Sequence, residues 1–340
     1  MKPAFTNYYQ VCFGATIAAA MLVATPDSDR VAAQEPKILF KIPDAGKVRH
    51  ISAALSPDRK LLATGTMEKE LRIWDVTSGR KTSTLTGHSG EVRAVAFSPN
   101  GKLLVSASGE VKVWDVASGM EASIRLKHIE PIFSFAFSPD SKLLAAGYFD
   151  EKVRIFELES GKVLFTLSGH GNTVGAVAFS PDGKTLATAG GNQFGRNEPN
   201  KLRLWEVASG TMVRAVPGLK KDGAVKAIAF SPDGKVVAVG GTNNQLVLWD
   251  AGTGKEIRVL EAKDKIFSLA FAPGGKTLAA AGDGGLAGIW DVGTGKARGA
   301  LKADPFGDSD RLFSIAFISD GKALVAGGDH GAVRWSVTAK

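Results

Sequence analysis

Five histidines, one cysteine and a short acidic run are the residues of this chain with the types to do chemistry, and their spacing assembles none. His88, His128 and His170 fall at matching places in a recurring pattern, which points to a structural role. His50 stands where comparable segments carry Val92, Ile132, Val174 or Val225, so it reads as a packed residue. His330 follows Asp329 in a short turn, too small a pair to define a metal site. The stretch DPFGDSD at 304–310 offers three carboxylates, but calcium needs six to eight oxygen ligands and the D-x-D-x-D-G loop spacing is absent. Cys12 is alone, which excludes disulfides and paired-thiol chemistry. No G-x-S-x-G, H-E-x-x-H, Walker or dinucleotide fingerprint occurs. The residues therefore predict no catalytic, cofactor-binding or metal site, and no enzyme.

The elements that would have to position such residues are written as a repeat. FSPDGK stands at 179–184 and again at 230–235, with looser copies at 55–60, 97–102, 137–142, 271–276 and 317–322. In S-P-D-G the serine accepts from the turn backbone, proline pre-sets φ, and aspartate and glycine suit the last positions, a type I turn signature. Apolar and β-branched residues flank each copy, as in VGAVAF before and TLATA after, so the turn joins two strands. Downstream of each turn comes a second mark, as in LRIWDVTSG (71–79) and LRLWEVASG (202–210). Every tryptophan of the chain occupies this place: Trp74, Trp114, Trp205, Trp249, Trp290 and Trp335, with Phe156 in the remaining slot. A third mark is an alanine before the residue that leads into the first turn, from Ala54 to Ala316, seven times in seven. A small residue at a fixed place suits strands crowded towards the axis of a radial assembly. Each unit reads as four short strands, with no helical periodicity in the body of the chain.

The W-D dipeptides, the pairs Gly87-His88 and Gly169-His170, and the period of roughly 40–45 residues resemble the WD-repeat (G-protein beta subunit-like) β-propeller family over residues 37–340. The resemblance implies an all-β fold: a seven-bladed propeller of four-stranded antiparallel blades. The last unit lacks its outer strand, and the first has an extra strand-like KILFKI at 37–42. Placing 37–42 outside the last blade completes the ring and covers a sheet edge, with Ile38, Phe40 and Ile42 alternating on one face. The family also ties blades together with hydrogen-bonded His, Ser or Thr, Trp and Asp. His88, Ser106 and Trp114 match in the second unit, and His170, Thr188 and Trp205 in the fourth, but neither has a turn aspartate. Asp150 and Asp329 match the aspartate in units lacking the other members.

Residues 1–33 break the pattern. One early lysine, the apolar run VCFGATIAAAMLVA at 11–24 and a small-residue V-A-A site resemble a secretory signal peptide cleaved after Ala33. The run is short for a membrane span. The expectation is an exported protein, periplasmic or extracellular, with one propeller domain over 34–340. It would be cysteine-free and monomeric, with no membrane span after processing. The net charge of +8 is spread through the repeats, with no basic block and no interleaved aromatics, so nucleic acid is not an expected partner. Each turn carries one lysine in register (Lys60, Lys102, Lys142, Lys184, Lys235, Lys276 and Lys322), which predicts a ring of lysines on one face.

Units differ most in three enlarged connections: 190–201, 217–225 and 302–310. In the resembled family these share a face. Phe194, Arg196, Lys220, Lys221 and Phe306 are the aromatic and cationic types enriched in binding hot spots, and they form the candidate partner-binding set. The expected function is a non-catalytic platform for a protein partner. The alternatives are a lactonase- or quinoprotein-like enzyme working in the central channel, or a binder of anionic cell-surface polymer through the lysines. Inner strands rich in Ala, Ser, Val and Ile favour the platform over the enzyme.

Overall fold

The computed structural model describes residues 38–41, 48, 50–126, 131–191, 201–219, 223–302, 311–318, 321–328 and 331–337. They form 27 strands in seven antiparallel sheets, each a blade running from the axis outwards. The first blade shows the plan: His50–Leu55, Leu61–Thr66, Leu71–Asp75 and Lys81–Leu85, each paired with the strand before it. Among the described residues no helix is long and apolar enough to cross a membrane.

The ring closes as the unit arithmetic requires. In the last blade, strand Gly331–Ser336 pairs on its outer side with Ile38–Lys41, Ile38 lying opposite Trp335 and Lys41 opposite Val333. The second blade departs from the plan: its sheet has three strands, and the outer position is reduced to an isolated bridge between Trp114 and Glu121. In the first and third blades Leu85 and Leu167 come six residues after Gly79 and Gly161, whereas Leu126 comes seven after Gly119. Leu126 is still buried, so the segment gives up strand register to keep that contact.

The core lies between blades. Seven apolar clusters occupy the seven blade-to-blade interfaces, and each takes the tryptophan (or Phe156) of the following blade. Trp114, for example, packs with Ala54, Ala63, Leu71 and Ile73 of the first blade. One buried aromatic per interface explains why the chain places its tryptophans at a single repeat position. The alanines of the third mark sit in the same seams, where the inner strands converge. Backbones approach closely there too. A Cβ on Gly65 would collide with the Val92 carbonyl oxygen of the next blade, and one on Gly147 would lie 2.7 Å from that of Val174.

Candidate functional site

Among the described residues, one arrangement that looks catalytic is in the second blade. His88 Nδ1–H donates to Glu110 Oε1 at 2.9 Å, Ser106 Oγ–H donates to His88 Nε2 at 2.7 Å, and Trp114 Nε1–H donates to Ser106 Oγ at 2.7 Å. A serine, histidine and carboxylate in line resemble a nucleophile, base and orienting acid. Ser106 is fully buried, however, and its oxygen is occupied by the indole, so no substrate can reach it. The set is structural. Glu110 stands where a turn aspartate was missing from the sequence pattern, its extra methylene bridging the distance. Burial lowers the His88 pKa, partly countered by Glu110. Burial alone would raise the Glu110 carboxyl, but hydrogen bonds from Ser89 and His88 leave it below its ordinary value.

The fourth blade inverts this polarity. Arg203 Nη1 donates to His170 Nδ1 at 3.0 Å, and a guanidinium can only donate. The proton of His170 therefore sits on Nε2, which donates to Thr188 Oγ1 at 2.9 Å, and Trp205 Nε1–H donates to the same oxygen at 2.7 Å. Burial, reinforced by the Arg203 charge, drives the His170 pKa down to about 3. The two matching histidines hold opposite tautomers. His50 is buried with its ring edge-on to Trp74 at 5.9 Å, a packed position as expected. Asp150 pairs with Arg154 at 2.6 Å. His128, Asp329, His330 and residues 304–310 lie outside the described residues, as does the turn residue Asp320. Among the described residues no group of three or more His, Cys, Asp or Glu is placed to hold a metal ion.

Antiparallel blades sort the connections onto two faces. First-to-second and third-to-fourth turns emerge on one, the turn face. Second-to-third turns and the links between blades emerge on the other, the loop face. Residues 192–200 connect Thr185–Gly190 to Lys201–Glu206, while 220–222 and 303–310 lie within links between blades, so all three leave from the loop face. Phe194, Arg196, Lys220, Lys221 and Phe306 themselves lie outside the described residues, so the structure neither joins nor separates them. Their anchors are described. Gly218 C=O accepts from Trp249 Nε1, and Ala224 and Thr242 exchange hydrogen bonds at 2.9 and 3.0 Å. Sequence reasoning missed Phe149 on this face, which is 37% exposed and stacks on Phe133 at 6.2 Å. Its signal was an aromatic in a second-to-third turn of ordinary length, a place where length alone draws no attention. Arg311, at the edge of 303–310, lies 5.4 Å over Phe313, which stacks on Phe267.

On the turn face each S-P-D-G-K copy closes on itself. In the fourth blade Ser180 Oγ–H donates to Asp182 Oδ1 at 2.6 Å, Lys184 N–H donates to the same carboxylate at 3.0 Å, and Ser180 Oγ accepts from Thr185 N–H at 2.9 Å. The Ser180 hydroxyl leads in holding the Asp182 pKa below its ordinary value. At Asp58, Asp140 and Asp233 burial pushes the pKa up, but the matching hydrogen bonds outweigh it. The fourth turn residue has positive φ in all seven copies: glycine in five, Arg59 (64°) and Ser141 (61°) in the others. All seven turn lysines are exposed. At the centre of this face lies a cavity of about 680 Å³. Leu55, Phe137, Phe179, Phe230, Phe271 and Phe317 line it, as do Pro57, Pro139, Pro181, Pro232 and Pro273, together with the charged Arg59, Asp233 and Lys276.

Known proteins match this pattern of repeats. The WD domain, G-beta repeat profile matches residues 38–75, 79–115, 161–206 and 254–291, and the anaphase-promoting complex subunit 4 WD40 domain profile matches 112–172 and 194–272. Pre-mRNA-processing factor 19 homolog 2 of Arabidopsis thaliana is 42% identical over 65 residues, covering 19% of this chain and 12% of that protein. Nuclear distribution protein PAC1 of Mycosarcoma maydis is 48% identical over 64 residues, covering 19% and 13%. Autophagy-related protein 16 of Arabidopsis thaliana is 28% identical over 213 residues, covering 62% and 41%. The chain thus spans between 12% and 41% of the length of these relatives. They overturn the expectation of an exported, periplasmic or extracellular protein, because pre-mRNA processing, nuclear distribution and autophagy are processes of the cell interior. That expectation rested on a local pattern, an early lysine, an apolar run and a V-A-A site, which can occur without serving export. Residues 1–33, the proposed signal peptide, lie outside the described residues.

Proposed function

Because this chain belongs to the WD-repeat β-propeller family, we propose that it is a non-catalytic scaffold whose loop face engages a protein partner. The observation that carries this reading is that all three lengthened connections leave from one face, the face that also carries Phe149. Aromatic and arginine side chains are the types enriched in binding hot spots. The scaffold reading is also supported by the burial of Ser106, the one serine aligned with a histidine and a carboxylate in the second blade. Phe194, Arg196, Lys220, Lys221 and Phe306 are its proposed contact residues.

Quantitative capture from an extract of the source cells, with the full chain as bait, tests this. The combined variant Phe194→Ala, Arg196→Ala and Phe306→Ala should weaken capture of the bound protein by roughly thirtyfold while melting like the parent. Charge reversal at Lys102, Lys184 and Lys235 on the turn face should leave capture intact. Loss with the lysine variant and retention with the loop variant would assign the partner to the wrong face and end this reading.

A further inference from the structure

The turn face carries a second, independent surface. Its central cavity, at about 680 Å³, falls within the range of about 300–1,000 Å³ over which pockets hold small ligands and anchoring side chains. Its lining is mostly apolar, because one repeat position supplies Leu55 and five phenylalanines and another a collar of five prolines, with Arg59, Asp233 and Lys276 also lining it. The collar is stiff. The positive-φ glycine of each turn sits against the proline of the turn before it: Gly183 by Pro139, Gly234 by Pro181, Gly275 by Pro232 and Gly321 by Pro273.

Charge surrounds this apolar cup, and on the first turns cations exceed carboxylates. Seven exposed lysines and Arg59 stand on the first turns, against the aspartates Asp58, Asp140, Asp182 and Asp233 described there. Those carboxylates are engaged by a serine hydroxyl and a backbone N–H within their own turns. In the second and sixth copies Asn100 and Gly274 replace the aspartate, which adds to the excess of cations on these turns. The carboxylates of the outer turns, such as Asp75 and Asp250, are likewise capped by Ser78 and Thr253. Cations on flexible stems therefore ring a largely apolar cup and outnumber the carboxylates of the first turns.

We infer that the turn face is a docking site for an acidic peptide segment with one bulky apolar side chain, the side chain entering the cup and the flanking carboxylates meeting the lysines. A polyanion without apolar groups would match the lysines but leave the cup unfilled, which is why the peptide is favoured over a polymer of phosphates or sulfated sugars.

Fluorescence anisotropy with the full-length chain decides it. The probe is a labelled peptide with a central tryptophan and two glutamates on either side. It should bind saturably, weaken as salt rises, and lose tenfold or more in affinity when alanine replaces the tryptophan. Lysines in place of its glutamates should abolish binding. Charge reversal at Lys142, Lys184 and Lys235, exposed residues outside the core, should weaken the parent peptide at least tenfold. The loop-face variant above should bind it unchanged, which separates failure here from failure of the scaffold reading. Equal binding of the alanine peptide, or displacement of the probe by inorganic polyphosphate with no dependence on the tryptophan, would overturn the peptide assignment in favour of a plain polyanion surface. No saturable binding, or tighter binding of the lysine peptide, would overturn the site altogether.

Discussion

Replacing His170 with glutamine should make the protein less sensitive to mild acid. An amide can keep both bonds of the imidazole, its oxygen accepting from Arg203 and its nitrogen donating to Thr188, but it cannot take up a proton. The imidazole can do so only by placing a second N–H against the guanidinium, in a site 4% exposed. Its pKa therefore falls from about 6.5 to about 3 on folding. A base depressed in the folded state binds protons more readily when unfolded. Its stabilisation is thus complete above pH 6.5 and is lost progressively as pH falls towards 3. Between pH 7 and pH 5 the loss is about 2 kcal/mol, at 1.36 kcal/mol per pH unit over roughly 1.5 units. The depressed aspartates release their stabilisation only below their ordinary range near 3.8, so this window reports histidines. Melting parent and His170→Gln at pH 7 and pH 5, at equal ionic strength, cancels the share of His88. The parent midpoint should drop by roughly 4 °C more than that of the variant. A variant whose midpoint falls as far as the parent's would refute the inverted tautomer and the Arg203 contact with it.

Glu110→Ala should destabilise by about 1–3 kcal/mol, read as a lower denaturant midpoint at unchanged slope, because it strips bonds from His88 Nδ1 and from Ser89. Gly65→Ala should cost about 1–3 kcal/mol in the same assay, since its Cβ would collide with the Val92 carbonyl across a blade interface; a neutral result would mean that the interface gives way easily. Arg59→Gly should raise the thermal midpoint by an amount equivalent to about 0.5 kcal/mol, because it relieves a left-handed backbone that five other turns assign to glycine. Deleting residues 37–42 should lower the midpoint and produce self-association in sedimentation, by baring the outer edge of Gly331–Ser336; a monomer that melts like the parent would show closure by another route.

The fold was legible because each of its physical demands recurs. A turn needs S-P-D-G, a blade interface needs one large aromatic, a converging inner strand needs alanine, and the chain spells each at a fixed place. What was not legible is where one residue type does the work of another. Glu110 completes a network in place of an aspartate, and only the distance to His88 shows it. Arg203 reverses a hydrogen bond, and nothing in its spacing announces that, since Arg72 and Arg154 at the same repeat position pair with Glu70 and Asp150 instead. The outer segment of the second blade has apolar residues enough for a strand, but the one-residue offset of Leu126 breaks the ladder. Repeats announce the frame; the candidate contact residues lie in insertions that no repeat constrains, and composition alone singled them out.

The seam of the ring joins the earliest described strand to the last. Residues 38–41 leave the ribosome well before 333–335, their partners, are made; at about 5–20 residues per second the wait is roughly 15–60 s. Through that interval a short strand remains unpaired beside blades that are already stacking. Where many chains are translated close together, the vacant outer position of one ring can take the leading strand of its neighbour, because the pairing surface is identical. The seam that lets a single chain close on itself is therefore also the point at which two chains would exchange strands, and crowded overexpression should enrich linked dimers that share no new contact with the monomer.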